Sequence, residues 1–264
     1  MKWYALKRLF RSRASKKKKS HAKSRKKSVS NGIWGKRLRF AMHTILLLIV
    51  VDIFYLTTIW PDWDAIRHGQ LPKSQFILRY EQQRQLDPSL PRLQWQVVPY
   101  TRISRHLSRS VVVAEDGRFY THRGFDLQAL IEAFEHNVGS GRVAFGASTI
   151  SQQTVKNMFF SPSRNPLRKW HELILTIGME FKLSKRQILW LYMNIAEFGQ
   201  GIYGAEAAAQ HYWGISALEL RPQQAIELAA SLPSPKKNNP HKRTKRFLQR
   251  AEKIDHYFVL RYNQ

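Results

Sequence analysis

The sequence predicts an all-α protein: one membrane-spanning helix, then a helical domain beyond it. Three observations predict this. A long apolar run near the N-terminus matches the thickness of a bilayer. From Val97 onward helix-start signals are frequent, while period-2 alternation is almost absent. Apolar residues make up 43% of the 264 residues, enough for a sizeable core.

Residues 1–39 form a basic tail with 16 Lys and Arg and no acidic residue. The whole chain carries 44 basic and 18 acidic residues, a formal charge of +26. Residues 40–264 hold 28 and 18 of these, a net of +10. Such an excess points to an anionic partner: nucleic acid, a phospholipid surface or a phosphorylated substrate. Beside an apolar span, a run such as "SKKKKSHAKSRKK" sets topology and grips anionic lipid. No zinc-finger spacing or RNA-binding aromatic signature accompanies it, so nucleic acid is not expected as a partner. The absence of cysteine excludes disulfides and thiolate zinc sites.

Residues 40–60, "FAMHTILLLIVVDIFYLTTIW", are the expected transmembrane helix. At ~1.5 Å per residue they reach about 31 Å, the depth of the hydrocarbon layer. Tyr55 and Trp60 suit an interfacial end, and Pro61 breaks the pattern. Asp52 is costly inside such a span unless it is neutral, paired, or marks a shifted span. The run is too long for a signal peptide and lacks a small-residue cleavage site. The positive-inside rule keeps the tail cytoplasmic and places the following domain outside.

Residues 61–95, with four prolines, read as a membrane-proximal stalk containing a short helix around Gln75–Gln85. A helical domain is expected over 96–264. Ser184 and Gln187 form a capping box for a helix expected to stop at Gly199. Asn165–Pro166 is a cap followed by proline at the first helical position, and Asn239–Pro240 repeats the device for the last helix.

Candidate chemistry sits in three stretches. In "GASTISQQTVKN", Thr149 and Gln152 form a capping box, so a helix starts near Ile150. Gln152 and Lys156 share a face, as do Gln153 and Asn157. The stretch reads either as a well-capped surface helix or as amides and an ammonium offered to an anionic polar ligand. In "VVVAEDGRFYTHRGFD", Glu115 and Asp116 follow an apolar run. Desolvation and mutual repulsion raise a carboxylate pKa towards that of a general base. Alternatively the two acids are solvated helix ends pairing with Arg118, His122 or Arg123. In "RNPLRKWHE", Arg168 and Lys169 sit in a first helical turn, against the helix dipole, which makes sense if an anion docks there. Glu172 lies on their face, as a salt-bridge partner worth ~0.3–0.5 kcal/mol if exposed, or as a second functional carboxylate. "HELIL" lacks the second histidine of a metalloprotease, and the histidine spacings suggest no structural metal. A loosely held divalent ion on a substrate's phosphates is compatible with the sequence.

These blocks together resemble the peptidoglycan glycosyltransferases, family 51 of the glycosyltransferases. "EDGRFYTHRGFD", "GASTISQQTVKN", "RKWHE", "KRQILWLYMN" and "GIYGAEAAAQHYWG" follow in the family's order between about Val97 and Pro240. Ser151 stands where many members have Thr. The resemblance implies a lysozyme-like helical lobe and a smaller lobe against the bilayer. Phe119, Tyr120, Phe125, Phe134 and Phe145 are candidates for the membrane side, and "NVGSGRVAFG" for a mobile flap. It implies polymerisation of lipid II, with a lipid-linked glycan as donor, inversion to a β-1,4 linkage and release of undecaprenyl pyrophosphate. Glu115 then takes the place of the base, and Glu172 assists at the donor phosphate. Lys156, Arg168, Lys169 and Arg164 neutralise the pyrophosphate. Gln152, Gln153 and Asn157 hold sugar or phosphate oxygens, with Ser148 and Thr149 as secondary contacts or caps. Tyr192 and Glu197, in a block read mainly as architecture, are weaker cleft candidates. No cofactor is required, although Mg or Mn at the pyrophosphate fits. The implied setting is the bacterial inner membrane with the catalytic domain periplasmic, alongside cell-wall synthesis or division proteins.

Two rival readings share these features: a lysozyme-type glycan hydrolase, and a non-catalytic scaffold that binds lipid II. The cation-rich "RNPLRKWHE" disfavours the hydrolase, because plain glycan brings no pyrophosphate. A bifunctional penicillin-binding protein is not expected. Ser-x-x-Lys strings occur, as at Ser15, Ser24 and Ser234, but without a K-T-G companion or further chain for that domain.

Overall fold

The computed structural model describes residues 34–140, 148–162 and 165–262. It divides into two compact units, with the break between Trp60 and Pro61.

In the first unit, residues 34–59 form helix α1. At ~1.5 Å per residue it reaches about 39 Å, and it begins before the expected span. Among the described residues it lies in the one helical stretch long and apolar enough to cross a membrane. Its side chains from Phe40 to Phe54 are largely exposed and apolar. The Thr57 and Thr58 hydroxyls donate to the Phe54 and Tyr55 carbonyls, which satisfies them within the helix.

The second unit is predominantly helical, as the sequence predicts. It contains α2 (Trp63–Arg67), α3 (Gln75–Leu86), α4 (Arg105–Glu115), α5 (Leu127–Ser140), α6 (Ile150–Phe159), α7 (Pro166–Lys182) and α8 (Lys185–Ile195). Then follow α9 (Ala205–Trp213), α10 (Pro222–Ser231) and α11 (Lys245–Tyr262). Both expected capping boxes form, Thr149 with Gln152 and Ser184 with Gln187. Asn165 accepts from the Leu167 N–H ahead of Pro166.

Helix α8 is the central element: every residue from Ile188 to Ile195 is buried. It packs on α6, which also packs on α7, while α4 packs against α10 and α11. Site groups come from five of these helices, α4, α6, α7, α8 and α11.

Several expectations differ from the fold. The segment expected as a stalk is folded onto the unit, with Trp63, Ile66, Ile77 and Tyr80 buried. Burying these large apolar side chains outweighs the prolines' preference for an extended linker. Helix α8 ends at Ile195 rather than at Gly199. The chain after it enters a small sheet of β1 (Gln94–Trp95), β2 (Glu197–Gly199) and β3 (Ile202–Tyr203). Strand β3 is central, parallel to β1 and antiparallel to β2. Asn239 does not cap the last helix. It accepts from the Lys242 N–H in a turn, and Thr244 accepts from the Phe247 N–H at the start of α11.

Asn194 joins the sheet region to α8. Its buried amide donates to the Trp190 and Val98 carbonyls and accepts from the Val98 N–H. Gly204 comes so close that a Cβ there would stand 2.9 Å from the Asn194 carbonyl oxygen, at a φ of +86°. Glycine is the residue that tolerates both constraints.

Of the membrane-side candidates, Phe119 is fully buried in the core and does not belong to that surface. Phe125 is partly buried, whereas Tyr120 and Phe134 are exposed. Phe134 has exposed apolar companions on α5, Leu127, Leu130 and Ile131, and α7 exposes Leu167, Trp170, Ile177 and Phe181. Phe145 and most of the expected flap lie outside the described residues.

Candidate active site

Glu115 is the last residue of α4, delivered by the buried run Val111–Val112. Its side chain is only 10% exposed. Three elements converge on it. Gln153 of α6 donates through Nε2 to Oε2 at 2.8 Å. Arg250 of α11 donates through Nη2 to Oε1 at 2.8 Å, and to the Ala114 carbonyl at 3.0 Å. Tyr192 of α8 donates its hydroxyl to Gln153 Oε1 at 3.0 Å. The carboxylate only accepts and so selects the Nε2 end of the Gln153 amide, while Tyr192 anchors the Oε1 end. Burial pushes the Glu115 pKa above the ordinary glutamate range, while Gln153, Arg250 and Lys156 pull the other way. A carboxylate that is desolvated, anchored and raised in pKa suits a general base.

Asp116 takes a different role. It accepts from the Ile150 N–H at 3.0 Å, and His122 Nε2 stands 2.9 Å from its other oxygen. It thus ties the start of α6 to the end of α4, and helps set the distance between Gln153 and Glu115. Of the two neighbouring acids, Glu115 is the one that meets Gln153 and Arg250.

Lys156 is half-buried one turn beyond Gln153. Among the described residues it has no carboxylate within ion-pair distance. Burial lowers its pKa; Glu172 and Glu115 raise it, and Arg168 and Lys169 lower it. It therefore sits within electrostatic reach of both carboxylates. Glu172 is buried on α7, with a side chain 3% exposed. Lys169 Nζ donates to its Oε1 at 2.6 Å, and Arg168 Nη1 to its Oε2 at 3.2 Å. The salt-bridge reading of Glu172 is thus realised, but in a buried setting. Each bond uses one N–H of its cation, and guanidinium and ammonium both carry further donors.

Ser148 and Thr149 line a cavity of about 390 Å³ together with Glu115, Asp116 and Gly117. Thr149 is also the α6 cap, and its hydroxyl donates to the Gly124 carbonyl at 2.6 Å. Gln152 is engaged in the capping box, where its Oε1 accepts from the Thr149 N–H at 3.1 Å. Of the two glutamines, Gln153 is the one that bonds Glu115, and Lys156 follows it three residues on. Asn157 is partly buried on the next turn of the same helix. Arg164 lies outside the described residues. Glu197 stands elsewhere, 3.7 Å from Lys236.

Arg250 is the functional candidate that sequence reasoning missed. It is one of 44 basic residues, on a helix where Lys245, Arg246 and Lys253 look no different. Its contact with Glu115 spans 135 positions.

A donor-lined carboxylate beside a cation cluster can take a proton on one side and steady a departing anion on the other. A family model described as "Transglycosylase" matches residues 83–257. The biosynthetic peptidoglycan transglycosylase of Janthinobacterium sp. (strain Marseille) is 38% identical over 213 residues, 80% of this chain and 89% of that protein. Its namesake from Azoarcus sp. (strain BH72) is 43% identical over 204 residues, covering 77% and 86%. That from Dechloromonas aromatica (strain RCB) is 40% identical over 198 residues, covering 73% and 84%. On these matches, the chain belongs to the transglycosylase family.

Proposed function

We propose that this protein is a peptidoglycan glycosyltransferase that polymerises lipid II into β-1,4-linked glycan during cell-wall synthesis. One observation carries the reading: the buried Glu115 is bonded by Gln153 of α6, which carries Lys156 one turn on and packs against α7 with its Arg168–Lys169–Glu172 cluster. A proton acceptor and an anion site thereby share one cleft, as transfer from a sugar pyrophosphate requires.

The acceptor's sugar 4-hydroxyl lies against Glu115. As its oxygen attacks the donor's anomeric carbon, the proton passes to the Glu115 carboxylate. The bond from that carbon to the phosphate oxygen breaks, and undecaprenyl pyrophosphate leaves with the electron pair. Attack from the face opposite the leaving group converts the α linkage to β. Negative charge builds on the departing oxygens, where Lys156, Arg168 and Lys169 meet it. Gln153 and Arg250 hold Glu115 in place, and Asn157 contacts sugar or phosphate oxygens.

A divalent ion held by the protein fits poorly here. Both Glu172 oxygens already accept from Lys169 and Arg168. In the nearby group Asp116, His122 and Asp126, the two carboxylates are bonded to Ile150, Arg118 and Ala129.

Helix α1 anchors the enzyme in the inner membrane, with the basic tail cytoplasmic and the catalytic unit periplasmic. Tethering confines enzyme and lipid-linked substrates to one surface. The test is to supply the detergent-solubilised full chain with fluorescent lipid II and separate the products on a gel. A ladder of glycan strands is expected. Shortening of preformed glycan instead would make the protein a hydrolase, and binding without a ladder would make it a scaffold.

A further inference from the structure

Beside the N-terminal half of α4, a cavity of about 280 Å³ that Glu115 does not line is bounded by three arginines and three tyrosines. The arginines are Arg105, Arg109 and Arg186, and the tyrosines Tyr100, Tyr120 and Tyr262. No carboxylate lines the cavity, and none of the three guanidiniums has an acidic partner among the described residues. Along α4, Glu115 is ten residues from Arg105 and six from Arg109, about 15 and 9 Å of helix, and it does not line this cavity.

The guanidiniums are held by their faces. Arg109 stacks over the Tyr262 ring at 4.7 Å and Arg186 over Tyr100 at 4.6 Å. Stacking of this kind uses the flat face of the cation and leaves the N–H groups in its plane to donate. It fixes long side chains that otherwise lose rotamer freedom on binding. Three like charges around one small cavity repel each other unless an anion joins them. Their field is already felt nearby: after burial, Arg105 and Arg109 are what hold the His106 pKa down.

We propose that this cavity is a second anion site, distinct from the catalytic cluster, that binds a phosphate group. The choice of phosphate follows from the donor count. A carboxylate offers two oxygens, which two guanidinium forks satisfy, whereas a terminal phosphate offers three. The cavity exceeds the size of a bare phosphate, so the group arrives on a larger body that packs against the tyrosines. Two sources share this chemistry: a small soluble phosphate ester, and the headgroup of an anionic phospholipid.

Residue-resolved arginine labelling tests this on the full chain in lipid nanodiscs. Phenylglyoxal modifies accessible guanidiniums, and mass spectrometry reads each arginine. One arm adds inorganic phosphate to nanodiscs of phosphatidylcholine. The other replaces part of that lipid by phosphatidylglycerol without added phosphate. Labelling of Arg105, Arg109 and Arg186 is expected to fall by a factor of about three or more in one arm, with exposed Arg246 unchanged. Protection by inorganic phosphate assigns a soluble ligand, and protection by phosphatidylglycerol assigns a headgroup. In Arg109→Gln/Arg186→Gln, protection of Arg105 is expected to disappear while glycan polymerisation persists. Equal changes at Arg246 and the three cavity arginines, or no change in either arm, would overturn the proposal.

Discussion

Replacing Arg250 by alanine is expected to move the acid limb of glycan polymerisation up by about one pH unit. Its Nη2 donates to Glu115 Oε1 at 2.8 Å, and with Gln153 and Lys156 it favours the ionised carboxylate. A hydrogen bond to a charged group contributes ~1.5–3 kcal/mol. The Arg250 side chain is 34% exposed, so solvent screening places it at the lower end. At ~1.36 kcal/mol per pKa unit, losing ~1.5 kcal/mol raises the pKa by about one unit. The sign follows from the role. A general base works as the carboxylate, and activity is lost as pH falls through its pKa. Burial already holds that pKa above the ordinary range, and removing Arg250 lifts it further. The assay is kcat/KM for fluorescent lipid II as a function of pH, in detergent, beside the wild type. A uniform drop in rate with an unmoved acid limb would refute the reasoning, because Arg250 would then act on something other than the protonation of Glu115.

Four further outcomes are expected. Lys156→Ala lowers kcat by about 10²–10³, the cost typical of losing one fixed charge-stabilising donor. Lys156→Arg keeps the charge and moves the alkaline limb outward, because burial lowers the lysine's pKa and arginine does not deprotonate; an unchanged limb would contradict this. Tyr192→Phe frees the Gln153 amide to turn, and a lost hydrogen bond of ~1 kcal/mol predicts about a fivefold fall in kcat with the fold intact. Gly204→Ala brings a Cβ within 2.9 Å of the Asn194 carbonyl oxygen at positive φ, so it is expected to cost ~1–3 kcal/mol in urea unfolding. An unshifted midpoint would count against the close approach described here.

The helical frame was legible where its signals are local. Thr149 with Gln152, Ser184 with Gln187, and Asn165 before Pro166 are neighbours along the chain, and each starts a helix where expected. The same locality misled at Asn239–Pro240, since a device that caps helices also closes turns. The sheet was not legible. Its strands are two or three residues long, and β1 pairs with β3 across more than a hundred positions. At the site, burial next to Val111 and Val112 could be read from their order, but the partner of Glu115 could not. Arg250 becomes recognisable only once α11 packs against α4. Phe119, a candidate for the membrane side, proves to be core for the converse reason. An aromatic residue near a polar motif suits a membrane face or a core equally well until packing chooses between them.

The central claim is that Glu115 removes a proton from the acceptor hydroxyl. Its most direct test pairs two readings on Glu115→Gln, which keeps the shape and the contact with Gln153 while removing the base. Lipid II binding by the full chain in detergent is expected to stay near wild type, while the glycan ladder disappears. A variant that still builds the ladder would contradict the role of Glu115 outright, and one that loses lipid II binding as well would make this carboxylate a structural group.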